Sequence, residues 1–199
     1  RLPICRGSPR GVCRETALKN QTARQDPRAR PGWAIPAALA VASLVLGSWQ
    51  LGHKSFWLDE AFTWSDIGLT WGALVAKIGT ESTHQALYIV MLKLWGVLGQ
   101  SEAILRWPSV LASASLASMV WWIGRATMSR DAAAIAAVLM LFHPFALQYA
   151  QEARAYALSS ALATLSSLLL LELLRRPTRR IAAGYTLVTA LLVFTQLHA

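Results

Sequence analysis

Stretches of about twenty mostly apolar residues, parted by short polar connections, dominate this chain and leave few folds open to it. A hydrocarbon core leaves no water for backbone groups, so runs of that length become helices. Hydrophobic residues make up 55% of the 199, more than a soluble domain of this size needs. The expected fold is an all-α membrane protein, a multi-span helical bundle. The runs place spans at Trp33–Leu51, Trp107–Gly124, Ala132–Gln148, Ala155–Leu174 and Ile181–Ala199.

Charge orients these runs. The net charge is +9, and eight of the nineteen Lys and Arg lie before Gly32. Others fall in Arg125–Asp131 and Arg175–Arg180, short loops between apolar runs. That is the positive-inside pattern, so the basic charge argues for a membrane partner and against nucleic acid. Residues 1–32 lack apolar periodicity and read as a disordered cytoplasmic tail. Cys5 and Cys13, both in that tail, have no neighbouring ligand set and suggest neither a metal site nor a disulfide. The first run is too long for the core of a cleavable signal, and more runs follow. Arg1 in place of Met, and an apolar run that reaches Ala199, suggest the N-terminal portion of a longer chain.

Residues 53–106 form the first outer loop. Within it, 61–78 is apolar but interrupted by Asp66, Gly68, Gly72 and Lys77, which predicts helices lying in the interface. Ala86–Leu98 is about thirteen residues long, short for a crossing. The basic loops 125–131 and 175–180 are both cytoplasmic only if this segment does not cross. It is therefore expected as an interfacial or re-entrant helix on the outer side. Pro108 is expected in the first turn of its span, and Pro144 is expected to kink or stop the span at 132–148.

That topology gathers Asp59, Glu60, His84, Arg106, Gln151, Glu152, Arg154, Tyr156 and His198 at the outer face. Asp59 and Glu60 stand in Ser55–Trp64, a segment rich in aromatic rings that favour the headgroup zone. Glu152 and Arg154 lie in Tyr149–Tyr156, a short connection between two spans. Charges at that depth are costly and mark a functional site by default. Plainer roles stand beside this one: acids suited to a helix N-terminus, a Glu152–Arg154 pair that only fixes the turn, and Arg106 as an interfacial anchor.

In chain order, Leu58-Asp59-Glu60-Ala61, Leu87-Tyr88, Ser101-Glu102 with Arg106 and Pro108-Ser109, and Tyr149–Leu158 with its Gln-Glu-Ala-Arg-Ala-Tyr core form a set. This set resembles the N-terminal part of the GT-C glycosyltransferases of the protein O-mannosyltransferase and aminoarabinose transferase kind. The resemblance runs from about Trp33 to Ala199. Many members carry His-Pro-Pro before the Leu-Tyr pair, where this chain has His84-Gln85-Ala86. The resemblance implies transfer of a sugar from a polyprenyl-phosphate carrier to an acceptor hydroxyl, at the extracytoplasmic face of the plasma membrane. It implies Asp59 at the reaction centre with Glu60 in support. It also implies Glu152, Arg154 and Tyr156 beside the donor phosphate, with Tyr88 counted in that group and His84, Arg106 and His198 as further candidates.

The residue chemistry suits that reaction. A phosphate-linked sugar already has a good leaving group, and one carboxylate can take the acceptor proton with inversion at the anomeric carbon. The departing phosphate needs positive charge. Arg154 supplies it with a planar fork, or a divalent cation on Asp59 or Glu60 supplies it instead. A transporter subunit and a non-catalytic assembly protein are the alternatives. The charges lie at one face rather than near the midplane, and no inverted repeat is visible, which weighs against transport.

Overall fold

The computed structural model describes residues 32–80 and 85–195. The chain divides into two units, Arg1–Trp33 and Ala34–Ala199. Residues 1–31 lie outside the described residues, so the expected disordered tail does too, as do His84 and His198. The second unit is helical, with no strand among its described residues.

Its helices are α1 (Ala34–Ser48), α2 (Leu58–Gly68), α3 (Trp71–Thr80), α4 (Ala86–Trp95, prolonged by the 3₁₀ turn Gly96–Leu98), α5 (Glu102–Thr127), α6 (Arg130–Leu141), α7 (Pro144–Ala150), α8 (Tyr156–Arg175) and α9 (Arg179–Thr195). Two of them, α5 and α8, are long and apolar enough to cross a membrane. The pair α6–α7 makes a third if it is counted as one span, bent by 50° where Pro144 opens α7. Helix α1 has 15 residues, about 22 Å of rise against a hydrocarbon core of roughly 30 Å. It ends early because Gln50 takes a left-handed φ of 55° just past it. Helix α9 has 17 described residues.

The 26-residue helix α5 is the axis of the bundle and packs against α1, α6, α7 and α8. Its buried stripe includes Ser109, Ser113, Ala114, Ala117 and Gly124, small residues that let backbones approach. At Gly124 a Cβ would meet the Ala133 Cα on α6 at 2.9 Å, so only glycine permits this contact. Trp121, Ala133 and Ala137 form one cluster there, with Ile35 and Leu39 of α1 against it. At the other end of the bundle, Tyr88, Ile89 and Leu92 of α4 join Ile67, Leu74, Leu105, Ala153 and Ala155 in a second core. The outward face of α2 and α3 leaves Trp57, Leu58, Phe62, Trp64, Trp71 and Val75 exposed.

Helix α5 starts earlier than the apolar run suggests. Ser101 caps it by accepting the Ile104 N–H, and the helix begins at Glu102. Pro108 therefore lies inside the helix, not in its first turn. A proline there strips the Ile104 carbonyl of its helical donor. The Trp95 indole Nε1–H replaces it, at 2.9 Å. The connection between α4 and α5 turns at Gly99, whose φ of 145° suits glycine.

Candidate active site

Asp59 and Glu60 both fall in the first turn of α2. Successive residues on a helix point about 100° apart, so the two acids meet different neighbours. Glu60 turns inward. It is 1% exposed and forms a bidentate pair with Arg106, Nε to Oε1 at 2.9 Å and the second terminal nitrogen to Oε2 at 2.7 Å. The Ala153 N–H also donates to Oε1 at 2.7 Å, and the Trp57 N–H to Oε2 at 3.4 Å. Arg106 directs its remaining donors to the carbonyls of Leu51 at 2.9 Å, Lys54 at 2.7 Å and Ser55 at 3.3 Å. Five N–H groups thus make five hydrogen bonds, the full capacity of a guanidinium. The cluster ties the α1–α2 connection, α2, α5 and the α7–α8 turn together.

Asp59 turns outward, with its side chain 59% exposed, and pairs with Arg154. The Arg154 side chain is 16% exposed and lies over the Tyr156 ring at 5.2 Å. Its Nε–H is buried with no hydrogen-bond partner among the described residues. Tyr149 flanks Tyr156 with ring centroids 4.8 Å apart. The Arg154 carbonyl accepts from the Ser109 hydroxyl at 3.3 Å. With its one hydrogen so used, Ser109 accepts from the Tyr88 hydroxyl at 3.0 Å. Burial pushes the Tyr88 phenol well above its ordinary range and holds it neutral. Gln85 adds a bond to the far side of the turn, its side-chain oxygen accepting the Ala155 N–H at 3.2 Å.

Several expectations change in detail. Glu152 does not pair with Arg154; it accepts the Gln148 amide at 3.0 Å. Nor does Tyr88 reach the surface where a phosphate would bind: it is wholly buried and supports Arg154 from behind, through Ser109. Arg106 is neither an interfacial anchor nor a free cation, since every donor it has is engaged. The Asp59–Glu60 pair does not fit a divalent cation, because Arg106 and two backbone N–H groups already hold Glu60 and Arg154 holds Asp59. No group of three or more metal-ligating side chains occurs among the described residues. Ser109, Gln85 and Gln148 were not singled out from the sequence. Ser109 stands next to Pro108 in the motif, which was the available signal.

A cleft of about 510 Å³ opens beside the buried pair and is lined by Lys54, Ser55, Trp57, Gln148, Gln151 and Glu152 together with Glu60 and Arg106. The Gln151 amide donates to the Trp49 carbonyl at 2.9 Å, so its side-chain oxygen remains to accept.

No family model, curated protein or solved structure matches this chain.

Proposed function

We propose that the protein is an integral-membrane glycosyltransferase that moves a sugar from a polyprenyl-phosphate donor to an acceptor hydroxyl, with inversion. The observation that carries this reading is the Asp59–Arg154 pair. It couples a mostly exposed carboxylate to a guanidinium with an unspent buried donor, against an aromatic ring. In the reaction the Asp59 carboxylate takes the proton of the acceptor hydroxyl. The hydroxyl oxygen bonds to the anomeric carbon from the face opposite the phosphate. The anomeric carbon–oxygen bond breaks, and the electron pair leaves with polyprenyl phosphate, whose charge Arg154 stabilises. Glu60 and Arg106 position the reacting pair without touching substrate: Glu60 adjoins Asp59 in the chain and bonds to Ala153, the neighbour of Arg154.

In this reading the apolar runs cross the plasma membrane with the N-terminus in the cytoplasm and the site on the extracytoplasmic face. The exposed rings of α2 and α3 lie in the headgroup zone, and α4 stays on the outer side. The prenyl chain of the donor lies in the bilayer beside the bundle.

Arg154 provides the test. Lysine keeps the charge and loses the fork. Protein carrying Arg154→Lys or Arg154→Ala should fold normally and bind decaprenyl-phosphate-mannose about ten- to hundred-fold more weakly, the loss of one charge-assisted bond of roughly 1.5–3 kcal/mol. Affinity within twofold of wild type in both variants removes Arg154 from the site.

A further inference from the structure

Lys93, in the last turn of α4, reaches across to the C-terminal end of α2. Its Nζ donates to the Ile67 carbonyl at 2.8 Å and to the Leu69 carbonyl, at a helix end whose last carbonyls have no intrahelical donor. The Trp71 ring centre lies 5.1 Å from the same nitrogen. Carbonyls and a ring soften a cation, but they do not cancel its charge. Among the described residues no carboxylate lies within ion-pair distance of Lys93. Asp66, the residue before Ile67, is spent on Lys77 at 2.7 Å. An ammonium has three donors, and the two carbonyls leave one over.

Lys93 also lines a pocket of about 260 Å³, with Ile67, Trp71, Gly96, Val97 and Gln100. That volume is below the roughly 300–1,000 Å³ of sites that enclose a whole small molecule. It suits a compact anionic group whose remainder lies outside. The surroundings are apolar: Val97 is 86% exposed, Leu98 68% and Leu94 59%. A phosphate free in water leaves that surface bare, whereas acyl chains cover it. Trp71 and Gln100 carry further N–H donors suited to phosphate oxygens. The geometry points to this pocket as a binding site for the phosphodiester headgroup of an anionic phospholipid. One phosphate oxygen takes the remaining Lys93 N–H, and the chains run over Leu94, Val97 and Leu98. The bound lipid touches α2, α3 and α4 together. The pocket shares no lining residue with the cleft beside Glu60. This site rests on the membrane placement of α2–α4 in the reading above and not on sugar transfer.

Three probes separate the outcomes. Phosphatidylglycerol offers the phosphate with a net negative charge. Phosphatidylcholine offsets the phosphate with a quaternary ammonium. Glycerol phosphate is a headgroup without chains. Lipid retained on the purified protein is counted by mass spectrometry, and the unfolding midpoint is measured in phosphatidylcholine nanodiscs with either anionic probe added. Wild type should retain phosphatidylglycerol about ten-fold over phosphatidylcholine, the low end for one charge-assisted hydrogen bond, and should unfold later in its presence. Lys93→Gln keeps donors for the α2 carbonyls and drops the charge, so it should lose most of that preference. Gln100→Glu, at an exposed position, places a like charge at the pocket and should lose the preference too, which keeps the test decisive if Lys93→Gln does not fold. Full preference in folded Lys93→Gln or in Gln100→Glu overturns the proposal, as does a wild type that retains both lipids equally. Preference lost instead in Arg179→Gln and Arg180→Gln puts the lipid at the α8–α9 connection and overturns it as well. A midpoint raised as much by glycerol phosphate as by phosphatidylglycerol makes this a free-phosphate site and removes the lipid. No sugar-linked lipid is present, so each result stands whatever becomes of the glycosyltransferase reading.

Discussion

Asp59 and Glu60 are adjacent in the chain and take opposite environments. Glu60 is sealed behind Arg106, with four donors on its carboxylate. Asp59, a step around the same helix turn, meets solvent and a single guanidinium. The two arginines differ in the same way: Arg106 uses every donor it has, and Arg154 keeps its Nε–H free of any partner among the described residues. A charge pair with nothing left to offer builds structure. The exposed carboxylate of Asp59 is the side of the other pair that the proposed reaction uses. Polar residues gathered at one end of the bundle are therefore not equivalent, and what separates them is how many of their bonds the protein has already made.

The largest effect should come from opening the sealed pair. Removing one partner of a buried ion pair costs about 3–5 kcal/mol, because the other charge stays buried alone. Arg106→Ala should therefore sharply reduce the folded yield from membranes and lower the unfolding midpoint of what remains. An Arg106→Ala protein that unfolds with wild type would show that solvent reaches Glu60, and the contrast between the two acids would disappear. A smaller effect is expected behind the open pair. Tyr88→Phe removes the hydroxyl that bonds to Ser109, and so loosens the support of the Arg154 carbonyl. One neutral hydrogen bond is worth about 0.5–1.5 kcal/mol. A modest fall in unfolding midpoint should accompany weaker binding of decaprenyl-phosphate-mannose. A midpoint shift with donor affinity unchanged would disconnect Tyr88 from the site.

Much of this arrangement was legible in the sequence. The apolar runs located α5, α6–α7 and α8, and Pro144 marked the bend. The expectation that Asp59 and Glu60 gather with the Tyr149–Tyr156 turn agrees with the Glu60–Ala153 and Asp59–Arg154 bonds. The pairing within that cluster was not legible. Glu152 and Arg154 are two residues apart, so local reasoning joins them. The structure sends one to Gln148 and the other across to Asp59. Arg106 was similarly obscure. At the edge of an apolar run, an anchor and a buried partner look alike until the phase of α2 is known. The early start of α5 depended on one cap, Ser101, and on Trp95 making an internal proline tolerable, a contact nine residues away that no periodicity reveals.

The central claim is that Asp59 reacts and Glu60 builds. It is tested most directly by measuring unfolding midpoint and sugar transfer side by side in Asp59→Asn and Glu60→Gln. Asp59 is exposed, so Asp59→Asn should unfold within about 0.5 kcal/mol of wild type. Its sugar transfer should fall by about 10²–10⁴-fold, the contribution of a general base. Glu60→Gln should unfold markedly earlier than wild type, with its activity loss following the loss of folded protein. If Asp59→Asn retains transfer while folded Glu60→Gln has none, the two acids have been given each other's roles and the account is contradicted.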